Sequence, residues 1–220
     1  MAQIMKKKGF FIATGLLVVP VVIFYMLNAG SQNFKKLGYL GERIAPDGIG
    51  IKDTIYYSVP DFMGIDQSGD TLHSNDLSNN VFVANFFFAS CKDVCPSMNR
   101  RLKIVYDRFK EFAEVKFVSF TVDPANDSTQ VLLNYSKKFD ADPKIWHFVN
   151  AGKNGVFDIG QGMLLPVSIE DKTIDHSQQL ILIDKSKHIR GVYDSGSDID
   201  IKHLEEDIKV LLYEYHQPGK

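Results

Sequence analysis

Cysteine occurs twice in the 220-residue chain, four positions apart, in the run Cys91-Lys92-Asp93-Val94-Cys95-Pro96. Two thiols so close have three uses: sharing a soft metal ion, cycling between dithiol and disulfide, or filling the buried face of a helix as small apolar residues. Pro96 weakens the third, because proline disfavours the α conformation in the residue before it and is welcome at the first helical position. The pair is therefore expected on the loop entering a helix. Unpaired N–H groups and the helix dipole favour thiolate there, the form that binds metals and attacks disulfides.

A metal would need a further donor, and the candidate is His176 in the polar stretch Asp175-His176-Ser177. Two thiolates and one imidazole make a soft set suited to Cu(I), and serviceable for Cu(II) once a water or carboxylate is added. Structural zinc is less apt, since it wants four protein ligands and no fourth is evident. The other histidines have weaker claims. His73 and His188 read as loop residues, His203 and His216 fall on a terminal helix, and His147 beside Trp146 suits packing or hydrogen bonding.

The elements around the thiols alternate. Val81–Phe88 is almost continuously apolar, as a strand buried on both faces should be. Met98, Leu102, Val105, Phe109 and Phe112 then recur at helical spacing. Val115–Val122 is the next strand, and Asp127-Ser128-Thr129 the cap of a helix running to about Phe139. Trp146–Val149, Leu180–Asp184 and Ile189–Tyr193 read as strands, and Ile201, Leu204, Ile208, Leu211, Leu212 and Tyr215 line one side of a last helix. This order predicts an α/β domain, a thioredoxin-like three-layer sandwich.

Ahead of it, residues 9–27 carry no charge and have about the ~20-residue length of a transmembrane helix, with an apolar run longer than a secretory signal's. Lys6, Lys7 and Lys8 before the span, against Lys35 and Lys36 after it, favour a cytoplasmic N-terminus. The expected organisation is a cytoplasmic tail at 1–8, an anchor at 9–27, a linker at 28–53 and the thioredoxin-like domain at 54–217, on the extracytoplasmic side of the inner membrane. A formal net charge of −2, with both signs interspersed, argues against nucleic-acid binding.

Several motifs together resemble the Sco (SenC) family of membrane-anchored, thioredoxin-fold copper proteins. They are Pro60-Asp61-Phe62 with Asp66 and Gly69, the run from Phe86 to Pro96, Thr121-Val122-Asp123-Pro124 with Asp127, Trp146-His147-Phe148, Asp175-His176-Ser177, and Leu182-Ile183-Asp184 followed by Ile189 to Asp194. The resemblance implies copper held by Cys91, Cys95 and His176, with Asp123 near the site. It also implies delivery of copper, or of reducing equivalents, to the binuclear copper centre of cytochrome c oxidase subunit II. Lys92 stands where many relatives have proline, which bears on loop stiffness rather than ligation.

The expected function is thus a membrane-anchored copper metallochaperone. The alternative is a thiol-disulfide oxidoreductase in which Cys91 and Cys95 form the redox-active pair and His176 has no part. A copper or redox sensor and a peroxidase stand behind these two.

Overall fold

The computed structural model describes residues 16–24, 36–41, 43–44, 55–92, 94–165, 167–168, 173–174 and 178–216. The chain divides into two compact units, Met1–Lys35 and Lys36–Lys220. In the first, residues 16–24 are helical and exposed. The remaining residues of the expected anchor at 9–27 lie outside the described residues, and among those described no helix is long and apolar enough to cross a membrane.

The second unit begins with β1 (Arg43–Ile44) paired to β2 (Ile55–Tyr56). Then follow β3 (Met63–Asp66), β4 (Thr71–His73), β5 (Val81–Phe87), helix α1 (Val94–Phe109), β6 (Val115–Thr121), helix α2 (Thr129–Ser136), β7 (Trp146–Asn150) and helix α3 (Gly152–Gly162). The short hairpin β8 (Val167–Ser168) and β9 (Thr173–Ile174) leads to β10 (Gln179–Ile183), β11 (Ile189–Asp194) and helix α4 (Asp198–His216). Seven of these strands form one sheet in the order β11-β10-β5-β6-β7-β3-β4. The three central strands run parallel, and β10 and β3 flank them antiparallel.

Strand periodicity builds the two faces. On one side Val81, Val83, Phe87, Val115, Phe117, Trp146, Phe148, Leu180 and Leu182 meet α1, α2 and α4. On the other, Phe82, Ala84, Phe86, Val118, Phe120, Val149, Ile181 and Ile183 meet Val156 and Ile159 of α3. The result is the mixed α/β sandwich that the alternation of patterns predicts. On α1 the buried stripe is Cys95, Met98, Asn99, Leu102, Val105, Tyr106 and Phe109. Phe112 falls three residues beyond the helix end and is 49% exposed, so the apolar spacing outran the element.

One buried thread of polar groups crosses this apolar layer. Trp146 Nε1 donates to Ser119 Oγ at 2.9 Å, and Ser119 Oγ donates to Asn85 Oδ1 at 2.6 Å. Asn85 Nδ2 donates to Asn99 Oδ1 at 2.8 Å, and Asn99 Nδ2 to the Tyr135 hydroxyl at 3.1 Å. It ties α1 and α2 to three neighbouring strands.

Residues 36–41 fall in the stretch expected to be a tether, yet they dock on the domain. Leu40 N donates to Ile189 O at 2.9 Å, and Arg190 donates to the carbonyls of Gly38 and Leu37 at 3.1 and 2.9 Å. Arg190 is 6% exposed and also binds Asp184 at 2.9 Å and Glu214 at 3.2 Å, with Tyr39 packed on its guanidinium at 4.4 Å. Composition alone hid this, because the partners are backbone carbonyls, which any residue offers. Arg190→Met strands Asp184, 2% exposed, without its cation. The expected loss of unfolding free energy in urea is about 3–5 kcal/mol, as for other broken buried ion pairs. A loss under about 1 kcal/mol would show the pair to be solvated in practice.

Candidate metal centre

Parallel strands β5, β6 and β7 end on the same rim, and the loops leaving them carry the chemistry. After Phe87 the chain turns through Ala89 and Ser90, reaches Cys91, and enters α1 at Val94. Cys91 lies on the loop and is half-buried, whereas Cys95 sits inside the first helical turn and is 1% exposed. The expectation of both thiols on the loop therefore holds for Cys91 alone. Pro96 still suits its place, because its missing N–H falls in the first turn, where amides have no intrahelical acceptor.

Both cysteines are free thiols, and the turn brings them together. Cys95 N–H donates to Cys91 Sγ at 3.4 Å, and the Cys91 N–H donates to Phe88 O at 3.3 Å. The Phe88 amide and the Cys91 side chain both hydrogen-bond with the Cys95 sulfur. Burial pushes the Cys95 thiol up to about 12, against the pull of the Phe88 N–H, and the neighbouring Cys91 adds to the rise. The Tyr135 hydroxyl accepts at 3.1 Å from Nδ2 of Asn99, one helical turn after Cys95. Burial raises it above the ordinary phenol value despite the Asn99 hydrogen bond, and Cys95, Cys91 and Asp127 push the same way.

Asp123 is half-buried in the turn after β6, and its carboxylate accepts both hydrogen bonds from Asn126 Nδ2, at 2.9 and 3.0 Å. Asp127 is 1% exposed, and its Oδ2 accepts the Ala89 N–H at 3.0 Å and the Thr121 hydroxyl. The sequence places Asp127 in the cap region Asp127-Ser128-Thr129. Within that expected cap region the N-cap of α2 is Ser128, without a side-chain bond, and the aspartate reaches 38 residues back to the cysteine turn. Thr-x-Asp-Pro with a second acid four residues after the first was the available signal, but its partner is an amide, invisible to residue type.

His176 lies outside the described residues, so the convergence of imidazole and thiols stays an expectation. Among the described residues no group of three or more His, Cys, Asp or Glu side chains is placed to hold a metal ion. Other histidines are engaged elsewhere: His147 with Asp66 at 3.1 Å, His188 beside Tyr39 and Tyr56, and His216 with Leu212 O at 2.6 Å. The two sulfurs alone are a soft donor pair with one member open to solvent, which fits a thiophilic ion such as Cu(I) and leaves coordination sites to be filled.

The SCO1/SenC family model matches residues 55–149. The SCO1 protein homolog of Bacillus subtilis is 30% identical over 100 residues, covering 45% of this chain and 52% of its own length, so the match spans about half of that relative. An SCO2-like protein of Rickettsia felis is 33% identical over 152 residues, covering 64% of this chain and 72% of its own. Among solved structures, a SCO1/SenC family lipoprotein from Bacillus anthracis superposes with a TM-score of 0.64 at 26% identity, covering 71% of this chain and 95% of that one. BsSco, a member of the Sco family of cytochrome c oxidase assembly proteins in which a disulfide switch was identified, gives 0.61 at 23%, covering 72% and 95%. Bradyrhizobium japonicum ScoI with copper bound gives 0.58 at 19%, covering 70% and 99%.

The two thiols are chemically unequal, and alkylation reads this directly. At pH 8 a thiol at about 12 is thiolate in about one molecule in ten thousand, so iodoacetamide should label Cys91 first and Cys95 only after denaturation. Equal native labelling would contradict the burial. The neutral thiol is the form the fold favours, so its folded pKa lies above the unfolded one. That contribution is complete below the ordinary thiol pKa and is lost as pH climbs towards about 12.

Proposed function

This chain belongs to the SCO1/SenC family, and we propose that its folded domain is a copper carrier that holds the ion as cargo on Cys91, Cys95 and His176 for insertion into the binuclear copper centre of cytochrome c oxidase. The observation that carries this reading is the thiol pair itself: the Cys95 N–H reaches Cys91 Sγ at 3.4 Å, and Cys91 is half-exposed on a rim loop. Topology supports the third ligand. β10 runs antiparallel to β5, with Ile181 opposite Ala84, so the start of β10 lies beside the end of β5, where the cysteine turn begins. Gln179 opens β10, three residues after His176, and three residues span about 10 Å at most. The named relatives support the metal and the client: ScoI is a protein with copper bound, and BsSco belongs to a family of oxidase assembly proteins.

Low coordination makes such a carrier work. A thiolate or imidazole of the client displaces one ligand at a time, and the half-exposed Cys91 is the first to be exchanged. Asp123, on the same rim, is assigned a place near the ion rather than on it, since Asn126 occupies its carboxylate. We assign residues 9–27 to a membrane anchor, with residues 1–8 cytoplasmic, 28–53 leading outward and the domain from 54 on the extracytoplasmic side. The lipoprotein nature of the Bacillus anthracis relative supports attachment to a membrane.

A second reading rests on the same turn. A half-exposed thiol touching a buried one is also the arrangement of a thiol-disulfide oxidoreductase, and BsSco carries a disulfide switch. That function uses Cys91 and Cys95 and has no need of His176.

Anaerobic Cu(I) titration of the reduced protein against a competing chelator separates the two. One equivalent is expected to bind, with His176→Ala weakening the affinity at least about tenfold, Cys91→Ser and Cys95→Ser more, and oxidation abolishing it. Unchanged affinity in His176→Ala would remove that ligand, and reduction of a client disulfide at full rate by the same variant would favour the oxidoreductase.

A further inference from the structure

Asp127 is a buried acid bonded to the cysteine turn, and neither proposed function gives it a task. We propose that it is a positioning residue for the thiol pair, acting through the single peptide group between Phe88 and Ala89. That group is planar and trans, so its N–H and its C=O point in opposite directions and turn together. Its N–H, from Ala89, donates to Asp127 Oδ2 at 3.0 Å, and its C=O, from Phe88, accepts the Cys91 N–H at 3.3 Å. Gripping one end of the plane fixes the other, and with it the backbone of Cys91. The amide on the other side of Phe88 bonds to the Cys95 sulfur, so both cysteines are referred to the same short segment.

The grip is itself well held. Thr121 donates its hydroxyl to Asp127 Oδ2 and accepts the Asp123 N–H at 3.0 Å. Asn150 Nδ2 donates to the carbonyls of Asp127 and Pro124 at 3.0 and 2.9 Å. Val122 N donates to Phe87 O at 2.8 Å, just before the gripped plane. The ends of β5, β6 and β7 are thus linked into one frame, with the cysteine turn hung from it by the carboxylate. A freely jointed turn would let the sulfurs drift apart; the frame keeps them side by side and raises the effective concentration of each towards the other.

This inference concerns the same thiols as the proposed function but does not need copper, so its test uses the metal-free full chain. In glutathione buffers the S–S bond of oxidised glutathione breaks, the Cys91–Cys95 bond forms, and both thiol protons pass to the two glutathione sulfurs released. Asp127→Ala is expected to lower the equilibrium constant for ring closure about tenfold, which for two electrons moves the midpoint about 30 mV towards more oxidising buffers. Asp127→Asn keeps an oxygen for the Ala89 N–H and should stay within about threefold of the parent. If Asp127→Ala does not fold, Asp127→Ser, too short to reach the amide, carries the test with the same expected shift. An unchanged constant in a folded Ala or Ser variant, even one less stable in urea, overturns the proposal, because a merely structural acid would move stability alone. Asp127→Asn displaced as far as Asp127→Ala also overturns it, by making charge rather than the accepted hydrogen bond the cause. A shifted constant in a protein that binds no copper would uphold this inference while ending the copper reading.

Discussion

The desolvation of Asn85 is the constraint on which the site's geometry depends. It stands at 0% exposure in the middle of a strand whose neighbours are almost all apolar, and an unpaired amide there would cost about 1–3 kcal/mol. Asn99 and Ser119 meet that demand, and Tyr135 and Trp146 complete the chain. Hydrophobic packing alone would let α1 slide or rotate over the sheet at small cost. A hydrogen-bonded pair at fixed positions of β5 and α1 does not, because a shift of one residue leaves both amides unmet. Asn99 lies one helical turn after Cys95, so the register that satisfies Asn85 also sets where the buried sulfur stands.

Much of this was legible in the sequence, because strongly periodic segments announce themselves. The run Val81–Phe88 is buried at every position but its last, and Met98, Leu102, Val105 and Phe109 form the inner face of α1. Helix α3 was not legible. Gly152, Gly155, Gly160 and Gly162 give it poor helix propensity and few apolar side chains, and burial of Val156 and Ile159 against the sheet holds it instead. Nor was the hairpin of β3 and β4. There Met63 and Ile65 face outward, at 63% and 40% exposure, and Gly64 faces in because a Cβ would lie 2.4 Å from Val149 Cγ1. The pattern reads inside out.

At the site, residue type revealed the thiols but not their difference. Spacing placed Cys91 and Cys95 together, whereas only the helix start at Val94 shows that one is on the loop and the other under it. Asp127 was hidden for a related reason: its partners are a backbone amide in the turn after β5 and a hydroxyl at the end of β6. Side-chain chemistry that terminates on backbone leaves no second residue for a sequence reader to match.

The docking of residues 37–40 beside Ile189 and Arg190 places the domain's entrance at the β10–β11 turn. Ile183 there pairs with Phe82, near the start of β5, whereas Cys91 follows its end. Residues 37–40 therefore sit at one end of the sheet and the sulfurs at the other. Among the described residues, the incoming segment 36–41 lies away from the cysteine turn and leaves the approach to Cys91 uncrowded.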